Sequence, residues 1–131
     1  MAYEISNYSV KVTLIAGADL SAAQYRFVEI AAGGLVTRAN AITDKPIGVL
    51  QNSPAEGEEA EVLVVGGTKL VSGAALAVGA VVSTDVEGRG TAIVVGTATT
   101  QYNLGTTIFA SGAAGEIATV LINCANPGRA A

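Results

Sequence analysis

No stretch of about eleven residues or more carries the apolar period of an amphipathic helix, so this chain must build its core from strands. ATTQYNLGTTIFAS has room for one helical turn, but its threonines and Gly105 disfavour a longer helix. What recurs instead is a short alternating apolar run closed by glycine. Val10, Val12 and Leu14 alternate with Lys11 and Thr13, the period-2 pattern of a half-buried strand. In DLSAAQYRFVEI, Asp19 and Ser21 shape a turn through side-chain bonds to nearby amides. Tyr25, Phe27 and Glu29 then fall on one strand face, with Arg26, Val28 and Ile30 on the other. Gly33-Gly34 predicts a hairpin turn before Leu35 and Val36.

Pro46 introduces the strand IGVLQ, and Asn52-Ser53-Pro54 with Gly57 reverses the chain. The next strand, EEAEVLVV, places Ala60, Val62 and Val64 on one face and Glu59, Glu61, Leu63 and Val65 on the other. Gly66-Gly67 is read as its end. Beyond it, Leu70, Leu76 and Val82 recur every six residues, with Gly73 and Gly79 between them. That spacing predicts short strands joined by glycine corners. STDVEGRG reads as a hairpin loop before AIVV, and EIATVLIN, Glu116 to Asn123, is the clearest late strand. The fold class is mainly β: a small β-barrel or sandwich of short strands with tight glycine turns.

Composition narrows the function. The 131 residues fit one domain, half of them apolar but small, with no Trp and 16 glycines. Net charge is −4, and the seven basic residues are scattered instead of forming the stripe that neutralises phosphates, so no nucleic-acid partner is expected. Cys124 is the only cysteine; it forms no intrachain disulfide and reads as a small buried side chain. MAYEISNYSVKV lacks a signal peptide's basic n-region and apolar core, and LVSGAALAVGAVVS is too short and glycine-broken to span a bilayer. A soluble protein made in a cytoplasm, with no membrane partner, is expected.

Chemistry-bearing motifs are sparse. With no histidine, the commonest general base and most transition-metal sites are missing. GRG at Gly88 to Gly90 has Ile93 where a dinucleotide fingerprint needs a third glycine, and there is no Walker-type lysine loop. The knot Glu56, Glu58, Glu59 and Glu61 invites a calcium reading, but alternation sends Glu58 and Glu59 to opposite faces. A solvated hairpin end, whose charge keeps strand edges apart, accounts for it. Asp85 and Glu87 before Gly88 are ordinary turn chemistry. GTKLVSGAALAVGAVV has some likeness to the corners of biotinyl and lipoyl carrier domains, but Lys69 has no Met beside it. No catalytic residue, cofactor, metal or small-molecule substrate is expected.

Four segments in order carry a resemblance: DLSAAQYRFVEI, PIGVLQNSPAEGEEAEVLVVGGTKLVSG, ALAVGAVVSTDVEGRG and LGTTIFASGAAGEIATVLI. Together they span Asp19 to Ile122, and the P-I-G-V-L-Q-N-x-P step is the most specific. The chain resembles the small capsid decoration, or cement, proteins of tailed bacteriophages. It departs from them at Ala80, where an acidic residue is common. The resemblance implies a non-enzymatic virion protein on the capsid exterior, made in the host cytoplasm. Its partner would be the major capsid protein, bound as homotrimers at three-fold or quasi-three-fold positions to brace the shell against internal DNA pressure. A head-fibre base or surface adhesin is the alternative; a carrier domain or histidine-free hydrolase is a more distant one.

Within that reading the chain divides into an N-terminal arm (1–12) that can contact the capsid, a β decoration domain (13–123) and a loose C-terminal tail (124–131). Tyr3, Ile5 and Tyr8 are the partner-binding candidates, as apolar anchors of an arm that adds a strand to a sheet edge on the shell. The competing role for the three is to cover the domain's own core.

Overall fold

A computed structural model describes residues 9–131. It is mainly β, as the sequence predicts. The strands are β1 (Val10–Ala16), β2 (Phe27–Ile30), β3 (Leu35–Arg38), β4 (Gly48–Leu50), β5 (Glu59–Val71), β6 (Val81–Thr84), β7 (Gly90–Ala92), β8 (Gly105–Phe109) and β9 (Ile117–Asn123).

The first five strands pair in a closed ring. β1 runs parallel to β3 through Ile15↔Leu35 and Ala16↔Val36. Antiparallel pairings then link β3 to β2, β2 to β4, β4 to β5, and β5 back to β1. Gly33 and Gly34, at φ 78° and 76°, make the expected turn between β2 and β3, a backbone region L-residues rarely adopt. The far half of β5 leaves the ring and pairs with β9, from Val65↔Asn123 to Val71↔Ile117. The second sheet continues from β9 to β8, β6 and finally β7.

Two cores follow from that topology. Inside the ring, Ala16, Val28, Val36, Leu50, Ala60 and Val62 pack together with Leu20 and Ala23. A narrow ring leaves room only for small side chains, which explains the Ala and Val bias. Outside it, Phe27, Val49 and Leu63 project from the same strands onto Leu70, Leu76, Val82, Leu104 and Val120. β2 and β4 are therefore walls shared by two cores, and neighbouring residues such as Phe27 and Val28 are both fully buried. Each large side chain so buried contributes about 1.5–3 kcal/mol. Gly48 sits where a Cβ would run into the Leu63 carbonyl oxygen, so β4 lies against β5 only because that position has no side chain.

Several sequence expectations are corrected. β5 does not end at Gly66-Gly67; it bends there and continues to Val71. Gly66 has φ 137°, which lets the strand turn from the ring into the second sheet. Val64 does not share the ring-facing side of Ala60 and Val62. Val65 pairs with Val10 while Leu63 pairs with Lys11, so Val64 is an extra residue, a bulge, and it packs against the outer core. AIVV is not a strand throughout, since β7 stops at Ala92. Leu70, Leu76 and Val82 all reach the core, but Leu76 lies between strands and meets Ser111 by a single bridge.

Both ends of the expected domain also shift. Val10 to Val12, assigned to the arm, belong to β1 and pair with β5. Residues 124–131, expected to be loose, are strapped down. Cys124 and Ala130 are buried. The Asn103 N–H donates to the Gly128 carbonyl, Ala130 N–H to Gln101, and Gly96 N–H to Ala130. Arg129 stacks over the Tyr102 ring at 5.7 Å.

Candidate partner-binding surface

Tyr3, Ile5 and Tyr8 lie outside the described residues. What the structure does place is the strand that follows them. From Val10 to Thr13 every residue of β1 is exposed. β5 pairs with one edge of β1, whereas β3 meets only Ile15 and Ala16 on the other. Among the described residues, then, no strand covers that second edge from Val10 to Leu14. An uncovered edge with exposed Val10 and Val12 is the geometry to which an extended partner strand adds.

The glutamate knot is the tip of the β4–β5 hairpin. Gly57, at φ 84°, turns the chain, and the Glu58 carboxylate accepts the Ala55 N–H at 2.7 Å. Asn52 clamps the hairpin, its amide donating to the Glu59 carbonyl and its oxygen accepting Glu61 N–H. Glu61 and Lys11 stand 3.9 Å apart at an exposed position, where an ion pair adds little stability. Ile15, Asn52, Pro54 and Glu59 line a shallow open concavity beside this tip. Among the described residues no three acidic or cysteine side chains gather closely enough to hold a metal ion.

The remaining polar groups have structural work. Asp85 accepts the N–H groups of Glu87 and Arg89 and pairs with the Arg89 guanidinium at 2.9 Å. Glu87 holds the other side of Arg89 at 2.8 Å. This β6–β7 loop docks on the ring: the Phe27 N–H donates to the Gly88 carbonyl, and Arg26 donates to the Glu87 carbonyl. Tyr25 links the two halves. Its N–H donates to the Leu50 carbonyl, its own carbonyl accepts Val71 N–H, and it holds φ 61° to do both. Lys69 lies over its ring at 5.6 Å. Burial pushes the Cys124 thiol up to about 12, which leaves it a protonated, inert side chain.

One carboxylate pair escaped sequence reasoning. Glu29 on β2 meets Asp44, whose carboxylate also accepts the N–H groups of Asn40 and Ala41. Burial first, then the bond to Asp44 and its charge, push Glu29 from 4.5 up to about 7. Sequence reasoning also missed the exposed Val78, Val94 and Val95. The available signal was the absence of any charged residue from Gly90 to Gly115.

An open strand edge, exposed apolar side chains and polar groups spent on turns define a β module built to attach to other protein surfaces. Its sequence agrees: residues 7–123 match the family model described as phage cement protein, so the chain belongs to the phage cement protein family and is a structural virion protein. Its fold is similar to that of the head fiber gp8.5 N base in bacteriophage phi29, with a TM-score of 0.67 and 18% identity over 89% of this chain and 96% of that one. A comparison with curated protein sequences finds no significant match.

Proposed function

We propose that this chain decorates the outside of an assembled phage head, binding the major capsid protein as homotrimers at three-fold or quasi-three-fold positions. It acts there as a non-catalytic brace against the pressure of packaged DNA. Membership of the cement family over residues 7–123 carries this reading. The open edge of β1 supports it, because that strand continues directly from the segment holding Tyr3, Ile5 and Tyr8. Rigid short-turned β structure loses little entropy on docking. Three linked copies also gain effective concentration, so modest contacts per copy give tight attachment.

The test is occupancy of undecorated heads by the full chain and by a variant lacking Met1 to Ser9. The full chain should saturate the heads and raise the temperature at which they release DNA. The folded truncation should lose most of its occupancy. Undiminished decoration by the truncation would discard the arm, and absence of binding by the full chain would discard the decoration role.

A second reading is favoured by the likeness to the phi29 head fiber base. In it the chain seats a fibre on the head surface. A density map of decorated heads separates the two: a compact knob supports bracing, and density rising from the knob supports a fibre base.

A further inference from the structure

The eighteen charged residues are unevenly placed: thirteen precede Leu70 and five follow it. Of those five, Asp85, Glu87 and Arg89 neutralise one another in the β6–β7 loop, which is turned onto the ring. Glu116 is occupied by the N–H groups of Gly112 and Ala113. The opposite end of β6 and β7 is therefore left without charge. There the turn Ala77–Ala80 precedes β6, and the segment from Ile93 follows β7. The Ile93 N–H donates to the Val81 carbonyl, while Gly79 and Ala80 bond to Thr107, so both segments are fixed to the sheet. Arg129, stacked on Tyr102, is brought to the rim by the 128–130 strap.

Two independent features mark this end. Val78, Val94 and Val95 are 69%, 66% and 55% exposed. In addition, β7 is the last strand of the sheet, and its free edge carries no charged residue. Soluble proteins guard such edges with Lys, Glu or Pro, and a bare one is ordinarily covered.

We propose that copies of this chain associate with one another through this end, with Val78, Val94 and Val95 of each copy at the contact. The charge distribution selects a second copy as the occupant. Two chains of net charge −4 that met through the ring half would set Glu56 to Glu61 of one against like charges of the other. Meeting through the valine end keeps those carboxylates apart and removes only apolar surface from water. The proposal rests on the homotrimer named above and gives it an interface.

Sedimentation velocity on the full chain tests it, comparing wild type with Val94→Asp, Val94→Lys, Val78→Asp and Val86→Asp. The wild type should associate in solution. Asp or Lys at Val94, and Asp at Val78, should each weaken association about a hundredfold, because each buries an unpaired charge. If net charge alone governed association, Lys would strengthen it; weakening by both signs marks a buried contact. Val86 is 57% exposed but sits in the charged loop, so Val86→Asp should leave association unchanged. Since all three positions are exposed, circular dichroism should show an unaltered fold. A monomeric wild type, or valine variants that associate as wild type does, overturns the proposal. Decoration of heads is scored separately: copies that bind heads without associating sink this inference and leave the decoration role standing, and the converse result does the reverse.

Discussion

At the scale of single residues, Glu29 and Asp44 make a pH dependence that the sequence gives no hint of. They are fifteen positions apart, and only the return of the 39–47 loop beside β2 brings them together. Asp44 already accepts two amide N–H groups, which stabilises its charged form, so the shared proton resides on Glu29. Because Glu29 is raised from 4.5 to about 7, the folded protein holds a proton between those values that the unfolded chain releases. Stability contributed by this bond is therefore complete below about pH 4.5 and is lost as pH rises to about 7. Urea midpoints at pH 5 and pH 8 check this: wild type should be less stable at the higher pH through this group. Glu29→Gln, which keeps a donor but cannot ionise, should flatten that part of the profile. An unchanged profile would assign the dependence to other carboxylates.

Among the elements, β5 shows where sequence reading succeeds and where it stops. Alternation placed Glu59 and Glu61 outside the ring and Ala60 and Val62 inside it, because period-2 burial is a local property of a strand. The same logic separated Phe27 from Val28. It failed at Val64, since a bulge depends on the partner strand, and at Gly66-Gly67, where glycine serves for a bend as well as an end. The tail 124–131 was misread for a similar reason: Asn-Pro-Gly is turn chemistry, and nothing local says that Ala130 will find Gln101 and Gly96. The arm candidates Tyr3, Ile5 and Tyr8 stand as proposed from the sequence, whereas the valine end needed the topology to gather Val78 with Val94. The two glycines of the bend give a contrast to measure. Gly66 has φ 137°, and a Cβ there would stand 3.0 Å from Ser9 Cβ. Gly67 has no such backbone, and its Cβ would meet Leu121 Cδ2 at 3.4 Å. Gly66→Ala should destabilise by roughly 1–3 kcal/mol from backbone strain. Gly67→Ala should have a much smaller effect, both read from chemical denaturation midpoints.

For the molecule as a whole, the question is whether the ring and the second sheet can open separately. A brace must transmit load between its attachment points, and a module with two independent cores would yield at the weaker one. The pairing pattern argues that these cores are coupled. β2, β4 and β5 each send residues to both sides, Val28, Leu50 and Val62 inward and Phe27, Val49 and Leu63 outward, so losing the ring unmakes one wall of the outer core. Tyr25 and the Gly88–Phe27 bond tie the remaining edges. Leu50→Ala in the ring core and Leu70→Ala in the outer core remove side chains that are both fully buried. Each should reduce stability by about 2–5 kcal/mol. In each variant, methyl resonances of Val36 and of Val120 should still be lost at the same denaturant concentration, because one shared wall makes one cooperative unit. If Leu50→Ala released Val36 while Val120 kept its folded signal, the wall would not be shared in energy as it is in geometry.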